Sequence, residues 1–522
     1  MKAQLTGKDI RGLATLEILI AFAVLILCIS AVIMVAFDNQ SLAVDLQTNN
    51  EAVSKAQAIL EKARADSRED FNLVNSFTTT NISGPLSYTE TLKVTQTDLF
   101  TKEVTSTVTW QTAGRTLKTI LTTLLTNPSA VGGGDTCSSE LVGDWTSLNI
   151  DIYEFGADIL EGSGTTSVTS SGFPITSIQT FDYKMYVTIN NTNGNNNGTL
   201  FVLDIADPSD MPKYLEEVDN NPGVQRGLNS IAVAGDGRAL VASAHTPNFN
   251  TCVNTDGTNL SCGQLQIIDL SDMSVDYTYK VPGVTGTSGQ GIGNVLVYRD
   301  GIVYLGLANS PGGAEFHTID VSGSAPSLLD SVEIGNGVNS ILVKDDYAYV
   351  ASPNNEELKI FDISTPSAID EVGGFSAPGG GVPFNGHGKS LNLVGNELYL
   401  GRTLIDSESE LYILNNSNPE ANLSEISSME VFNANTPNPE DASVNGIIVR
   451  NNLVFLITKK EFQTWDFTDL ENPVEYASPV LLPPGTGGGL QGTATDCEGN
   501  YIYVGSQSNN DKGYISVITG GS

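Results

Sequence analysis

The sequence predicts a mainly β chain: a long N-terminal helix with a small antiparallel sheet, then a large array of repeated four-strand units. Three observations carry this expectation. The 522 residues include 52 glycines and only 16% charged side chains, which suits strands joined by tight turns better than helices or disorder. An almost unbroken apolar run extends from Leu13 to Phe37. Further along, an apolar strand usually closed by an acid recurs at intervals to the C-terminal end. The length is too great for one compact core of ordinary size, so two or more domains are expected.

Residues 1–12, MKAQLTGKDIRG, are polar and basic at Lys2, Lys8 and Arg11. The apolar run over 13–37 holds about 25 residues and spans roughly 37 Å as a helix, enough to cross a bilayer. A secretory signal peptide has a shorter apolar core followed by a small-residue cleavage site. Glu17 interrupts the run. An unpaired carboxylate in hydrocarbon costs roughly 3 kcal/mol, so Glu17 needs a partner or a task. After Phe37 the apolar spacing becomes helical, with Leu42, Leu46, Val53, Ala56, Leu60 and Ala63 on one stripe. Between Ser87 and Leu125 three stretches alternate as strands, YTETLKVTQT, KEVTSTVTW and RTLKTILTTLL, with Ala113-Gly114 as a hairpin turn. The small residues and Pro of NPSAVGGG from Asn127 open a flexible linker, placed at 128–140.

The motif Gly12-Leu13-Ala14-Thr15-Leu16-Glu17, with its basic leader and apolar sequel, resembles the processing site of type IV prepilins and pseudopilins. The resemblance implies that a prepilin peptidase cuts between Gly12 and Leu13 and that the new amino terminus is methylated. It also implies that Glu17 pairs with the free amino group of a neighbouring pilin subunit, which removes the penalty of an isolated buried carboxylate. Leu13 departs from the Phe or Met commoner at the first mature position of that family. On this basis 1–12 is a leader, 13–37 a transmembrane and filament-core helix, and 38–127 a domain similar to minor pilins. A plain signal anchor with an acid near the interface is the competing reading.

Beyond the linker, LFVLD (Leu200–Asp204), LQIID (Leu265–Asp269), FHTID (Phe316–Asp320) and LKIFD (Leu358–Asp362) repeat, followed by LYILN (Leu411–Asn415), FQTWD (Phe462–Asp466) and ISVIT (Ile515–Thr519). Their spacing, about 42 to 65 residues, is that of propeller blades. Two apolar strands precede each copy, as in SILVKDDYAYVAS, and a turn such as DISTPSAIDEV leads to a fourth. Four antiparallel strands per unit make one blade. The units resemble the LVIVD repeat, which implies a propeller of the kind found on bacterial surfaces. The expected fold is therefore a seven-bladed β-propeller over 141–522. The last unit stops after its third strand, and WTSLNIDIYEF from Trp145 is expected to supply the fourth, since an open edge is a liability. Cys137 would then enter on that strand beside the first turn of the last unit, which holds Cys497, and a bridge between them would lock the ring. Cys137 left free in the linker is the alternative.

Of five cysteines, Cys28 lies in the apolar run and the other four form an even set. Cys252 and Cys262 flank NTDGTNLS, so a local bridge or two free thiols are both open. The formal charge of −35 repels nucleic acid and anionic lipid. The three histidines, His245, His317 and His387, have no metal-ligand spacing, and CxxC, GxSxG, HExxH and phosphate-loop patterns are absent. The Asn-rich run Asn190–Gly198 reads as a hairpin loop and not a calcium site, and the strand-end acids read as turn caps. No catalytic residue, metal or cofactor is expected, and the chain is read as not an enzyme. The expected function is a minor or tip subunit of a type IV pilus-like filament that presents its propeller to an unknown surface ligand. The chain would lie in the inner or cytoplasmic membrane before assembly and at the cell surface or in an extracellular filament afterwards. A pseudopilin of a secretion machine and a surface-anchored propeller enzyme are the alternatives.

Overall fold

The computed structural model describes residues 10–69, 74–83, 86–96, 101–112, 114–126, 136–137, 141–160, 174–189, 199–219, 227–247, 252–253, 259–260, 263–287, 289–323, 325–354, 356–378, 387–404, 408–434, 440–483, 491–507 and 512–521. The chain divides into two compact units, Met1–Pro128 and Ser129–Ser522.

In the first unit, helix α1 spans Ile10–Glu69, 60 residues. Gly12, Leu13 and Glu17 fall within it, but their side chains, like those of Leu42 and Leu46, lie outside the described residues. Strands β1 (Phe77–Ser83), β2 (Leu86–Gln96), β3 (Thr101–Thr112) and β4 (Arg115–Thr126) form one antiparallel sheet in that order. The sequence pointed to β2, β3 and β4. β1, FTTTNIS, was missed because its Thr-rich run lacks an apolar face, and Phe77 is itself exposed.

Two halves of α1 meet different surroundings. Ile18–Ala36 has mean hydropathy 3.2 and none of it is buried, whereas Ala52, Ala56, Ile59, Leu60 and Ala63 are buried. These residues pack with Tyr88, Leu92, Val104, Val108 and Trp110 of the sheet. Three alanines on the buried face let the helix backbone approach the strands closely. Val53, expected on this stripe, is only half-buried at its margin. Lys55 pairs with Glu90 at 3.6 Å and lies over the Tyr88 ring. Tyr88 donates to Glu51 at 3.2 Å, and burial together with that carboxylate pushes its phenol up to about 12.

The second unit contains, among the described residues, six four-stranded sheets and one of five strands. Sheet I comprises Ile175–Phe181, Lys184–Ile189, Thr199–Asp204 and Lys213–Asp219; sheet II, Leu228–Ala234, Arg238–Ser243, Leu265–Asp269 and Ser274–Tyr279. Sheet III comprises Gly293–Arg299, Ile302–Leu307, Phe316–Asp320 and Ser327–Val332; sheet IV, Ser340–Lys344, Tyr347–Ala351, Leu358–Asp362 and Asp370–Phe375. Sheet V comprises Gly388–Val394, Glu397–Arg402, Leu411–Asn415 and Ser424–Met429; sheet VI, Val444–Arg450, Leu453–Thr458, Glu461–Asp466 and Val474–Leu481. Sheet VII joins Gln491–Gly499, Tyr501–Gln507 and Gly513–Gly521 to Asp144–Glu154, from the start of the unit, and adds the two-residue strand Thr136–Cys137. The first strand of each sheet lies against the first strand of the next, and that of sheet VII against that of sheet I. The unit is mainly β and propeller-like.

The strand-end acids cap turns in a common way. Asp204, Asp269, Asp320, Asp362, Asn415 and Asp466 each accept the backbone N–H two residues on, at 2.7 to 3.0 Å. Hydrogen bonds from the neighbouring Ser or Thr hold the Asp269, Asp320, Asp362 and Asp466 carboxyls below the ordinary value.

Sheet VII is built from both ends of the unit. Asp144–Glu154 pairs antiparallel with Gly513–Gly521, from Glu154 opposite Tyr514 to Asp144 opposite Gly521. Trp145 is buried against Phe455 of sheet VI at 5.0 Å, and Phe155 against Phe201 of sheet I at 5.0 Å. Cys137 is bonded to Cys497 across 360 residues, with Cα atoms 5.1 Å apart. Its position differs from the expectation that it enters on the closing strand. Thr136 and Cys137 pair in parallel with Glu498 and Gly499, at the inner edge of the sheet, because the chain runs past the first strand before crossing to the outer one. Cys28 is exposed and unbonded. Cys262 and the Cys252 side chain lie outside the described residues, though the Cys252 backbone pairs with Leu260 in a small hairpin.

A crosslink over so long a loop removes much of the unfolded chain's freedom, and losing a native disulfide costs about 2–5 kcal/mol. Cys497→Ser is expected to lower the melting temperature of the second unit while a Cys28→Ser control leaves it unchanged, as read by calorimetry without reductant.

Candidate functional site at the long-loop end of the sheets

In an antiparallel four-strand unit, the turns joining strands one to two and three to four share one end. The connections from strand two to three, and from one sheet to the next, share the other. Here the first end is tight: Asp182, Asp300, Asp345 and Asn451 turn there with φ of 51° to 55°. At this end too, Asn500 clasps Val142 by two hydrogen bonds near the Cys137–Cys497 bridge. The other end carries the longer connections, and the charged and polar side chains with unusual surroundings gather there.

A buried acid or amide precedes the third strand in sheets II to V. Gln264, Glu315, Glu357 and Glu410 are 0 to 1% exposed. Each accepts a backbone N–H from the segment leading to the next sheet: Val281 at 2.9 Å, Ile334 at 3.0 Å, Ala377 at 2.8 Å and Val431 at 2.9 Å. These side chains satisfy donors that would otherwise be stranded. Burial raises the Glu315 and Glu357 carboxyls above the ordinary value.

Between sheets IV and V this latch carries a fully buried ion pair. Arg402 Nη2 donates to Glu357 Oε1 at 2.7 Å and Nη1 to the Ser409 carbonyl at 2.9 Å, with the guanidinium 5.3 Å from the Tyr412 ring centroid. His387 is near: its backbone N–H donates to Thr403 Oγ1 at 2.9 Å, and its ring Nδ1 is buried without a hydrogen-bond partner. Burial lowers its pKa, so the ring is neutral at pH 7. A neutral imidazole nitrogen without a hydrogen-bond partner can accept a proton.

A second pattern runs around the first strands, most of which carry a bulge at their second residue. The residue there donates to a carbonyl of the following sheet. Thr176 reaches Leu228 at 2.5 Å, Asn229 reaches Gly293 at 2.7 Å, Asn294 reaches Val338 at 2.7 Å and Asn339 reaches Gly388 at 2.8 Å. Asn445 reaches Gly492 at 2.7 Å, and Thr493 reaches Ile175 at 2.7 Å, returning to sheet I. Sheet V departs from the pattern. Lys389 stands at the bulge, and the next residue, Ser390, donates to Val444 at 2.9 Å instead.

The sequence analysis missed both patterns. The Asn lies one residue before the apolar strands that were recognised, as in NSIAV and NSILV, and the buried acid one residue before the third strands, as in EFHTID, ELKIFD and ELYILN. Recurrence at a fixed offset was the available signal. Of the histidines, His317 is buried with Nε2 donating to the Ala314 carbonyl at 2.8 Å. His245 is buried beside Ser243 and the Gly263 carbonyl. Among the described residues no group of three or more His, Cys, Asp or Glu side chains is placed to hold a metal.

The LVIVD repeat family matches residues 335–376, the stretch that contains sheet IV. No curated protein matches the chain. Among solved structures, a putative 6-phosphogluconolactonase from Bacteroides fragilis shares 10% identity with a TM-score of 0.39, over 77% of this chain and 100% of that one. The periplasmic gluconolactonase PpgL of Pseudomonas aeruginosa shares 12% identity with a TM-score of 0.40, over 76% of this chain and 98% of that one. The expectation that the chain is not an enzyme is thereby corrected: both of these solved structures bear the names of lactonases, and an enzyme is not excluded. At these identities and scores the likeness carries no activity over.

Two measurements follow. Removing one clasp, Asn339→Ala, leaves the Gly388 carbonyl without its donor and should lower stability by about 1–2 kcal/mol in denaturant titration. His317 titrates at about 4 when folded, because burial disfavours its charge, against an ordinary value of 6.5. Between those values the unfolded chain takes up a proton that the folded chain refuses, so stability held above pH 6.5 falls as the pH drops towards 4, by about 3 kcal/mol. His317→Gln, the residue that Gln266 and Gln463 place at the same point of sheets II and VI, should flatten that decline.

Proposed function

We propose that the chain is a membrane-anchored surface protein of the type IV filament kind, whose seven sheets are the blades of one closed propeller used for recognition at its long-loop end. One observation carries the anchoring half of this proposal: α1 is bare over Ile18–Ala36 and buried against its own sheet over Ala52–Ala63. A bare apolar stretch of 19 residues needs lipid or the same stretch of other subunits around it. That division of one helix is what a pilin-like subunit requires. Prepilin peptidase and other pilin subunits are the partners this proposal brings, with cleavage between Gly12 and Leu13 and Glu17 paired to a neighbour's amine. Recognition is assigned to the long-loop end because the departures from the repeated sheet pattern, Arg402 and His387 among them, gather there. Such a subunit belongs in the inner or cytoplasmic membrane before assembly and at the cell surface or in an extracellular filament afterwards. A secretion pseudopilin would share the same anchor.

Mass spectrometry of the mature protein tests the filament proposal. A first residue of methylated Leu13, with Glu17→Ala protein confined to the membrane, is the expected outcome. Mature protein that still begins at Met1 contradicts it.

The cluster at His387 favours a second reading, an enzyme head on the same anchor. An imidazole nitrogen without a hydrogen-bond partner, His387 Nδ1 near Arg402, is the group this reading assigns as general base. Gluconolactone and its 6-phosphate are the first substrates to offer, on the names of the proteins above. Turnover that His387→Gln lowers at least tenfold, with the melting temperature unchanged, supports this reading. Turnover indifferent to His387→Gln counts against this site.

A further inference from the structure

A strand at the edge of a sheet shows a row of unpaired backbone donors and acceptors, and folded proteins guard such edges with bulges and charges. Sheets I to VI of the second unit are guarded in this way. Their fourth strand meets the third with a break in register, and each fourth strand carries an acid, Glu216, Asp276, Asp330, Glu371, Glu425 and Glu475 among them. The sheet of the first unit has neither guard. β4 pairs with β3 over its 12 residues without a bulge and holds no acid, proline or glycine. At the opposite edge β1 pairs with β2 over its 7 residues, again without a bulge, and carries no charge.

Both edges also expose apolar side chains. Ile120 and Leu124 of β4 are exposed, and Leu117 and Leu121 on its α1 side are only half-buried. α1 is tied to β2 through Glu51 and Lys55, and to β4 through Asn49 and Arg64. β1 has no such tie to α1 among the described residues, and Phe77 to Thr80 are all exposed. Phe77 lies opposite Leu92 in register, at the rim of a groove of about 200 Å³ that Ile59, Ala63, Val74 and Leu92 also line.

From these edges we infer that β4 of one copy takes β1 of a second copy of this chain as an added strand. Strand direction selects this pair. In the order β1-β2-β3-β4, each strand is antiparallel to the last, so β1 and β4 run in opposite directions. A copy displaced sideways by the width of the sheet therefore brings its β1 antiparallel to β4, with both α1 helices pointing the same way. Pairing β4 with β4 needs a two-fold axis through the sheet instead, which reverses one α1. Two chains held in one membrane by Ile18–Ala36 exclude that reversal. On the α1 side the added strand sets Phe77 beside the Leu117 and Leu121 row, and on the other face Thr78 and Thr80 meet the row of Ile120 and Leu124. A contact between two different edges is heterologous and repeats from copy to copy. The inference rests on the anchored reading proposed above for the common direction of α1.

Cysteine crosslinking of the full chain, with Cys28→Ser throughout and in phosphatidylcholine vesicles, tests the pairing. Thr78 stands opposite Thr91, Thr91 opposite Thr107, and Thr107 opposite Ile120. Three strand spacings, about 14 Å, separate Thr78 from β4 within one chain, too far for a disulfide, so a bond between them joins two chains. Thr78→Cys chains are mixed in turn with chains carrying a cysteine at Thr116, Lys118, Ile120, Thr122 or Leu124, the residues of β4 on the same face. Under mild oxidation at least one mixture should give dimer in at least tenfold the yield of either chain alone, and a chain carrying both cysteines of that pair should give a ladder of longer products. All these positions face away from α1, and an unchanged melting temperature verifies the fold. No dimer from any of the five mixtures overturns the inference, and so does a dimer that a β4 cysteine forms by itself, the mark of β4 paired with β4. Crosslinks in a protein that still begins at Met1 keep the pairing and discard the filament, whereas methylated Leu13 without crosslinks does the reverse.

Discussion

Seven sheets packed face to face in an open row would leave the apolar face of the first and of the last without a neighbour. The pairing of Asp144–Glu154 with Gly513–Gly521 is the interaction that prevents this, and the rest of the large unit depends on it. It makes the beginning and end of the unit one sheet, so no sheet can leave without breaking main-chain bonds in another. Three further contacts share the load at that seam. The Cys137–Cys497 bridge holds the inner edge, Trp145 reaches the core of sheet VI, and Thr180 of sheet I donates to the Cys497 carbonyl at 3.0 Å.

Once the seam is shut, the remaining interfaces repeat a small vocabulary. A bulge residue donates to the next sheet near the centre, and a buried acid or amide accepts from the connecting segment farther out. Both are local devices that satisfy backbone groups at places where sheets meet at an angle and ladder bonds cannot continue. Their departures are therefore informative. Arg402 adds a charge to the latch between sheets IV and V, and Lys389 leaves the ring at the start of sheet V. Both lie beside His387, so one sector of the long-loop end carries most of the exceptions.

The strands of the repeats were legible because their alternation and spacing are dictated by neighbours along the chain. The acid that closes each third strand could be read as a turn cap for the same reason, since Asp362 and the Ser364 N–H are two residues apart. What could not be read are interactions whose partners lie in another sheet. Asn339 and Gly388 are 49 residues apart, and nothing in either local pattern announces the other. Arg402, at the end of an apolar strand, gave no sign that Glu357 would neutralise it 45 residues away. β1 escaped because a Thr-rich exposed strand has no apolar face to betray it. In α1 the exposed and buried halves follow from composition alone: large aliphatics over the exposed stretch Ile18–Ala36, alanines where the sheet packs.

Hydrogen exchange at the seam probes the central claim most directly. If Asp144–Glu154 completes sheet VII, the amides of Ile150 and Ile152 should be protected as strongly as those of Tyr514 to Ile518 and should open only with the whole unit. Rapid exchange of Ile150 and Ile152 while Tyr514 to Ile518 stay protected would show that the ring is not closed by this strand.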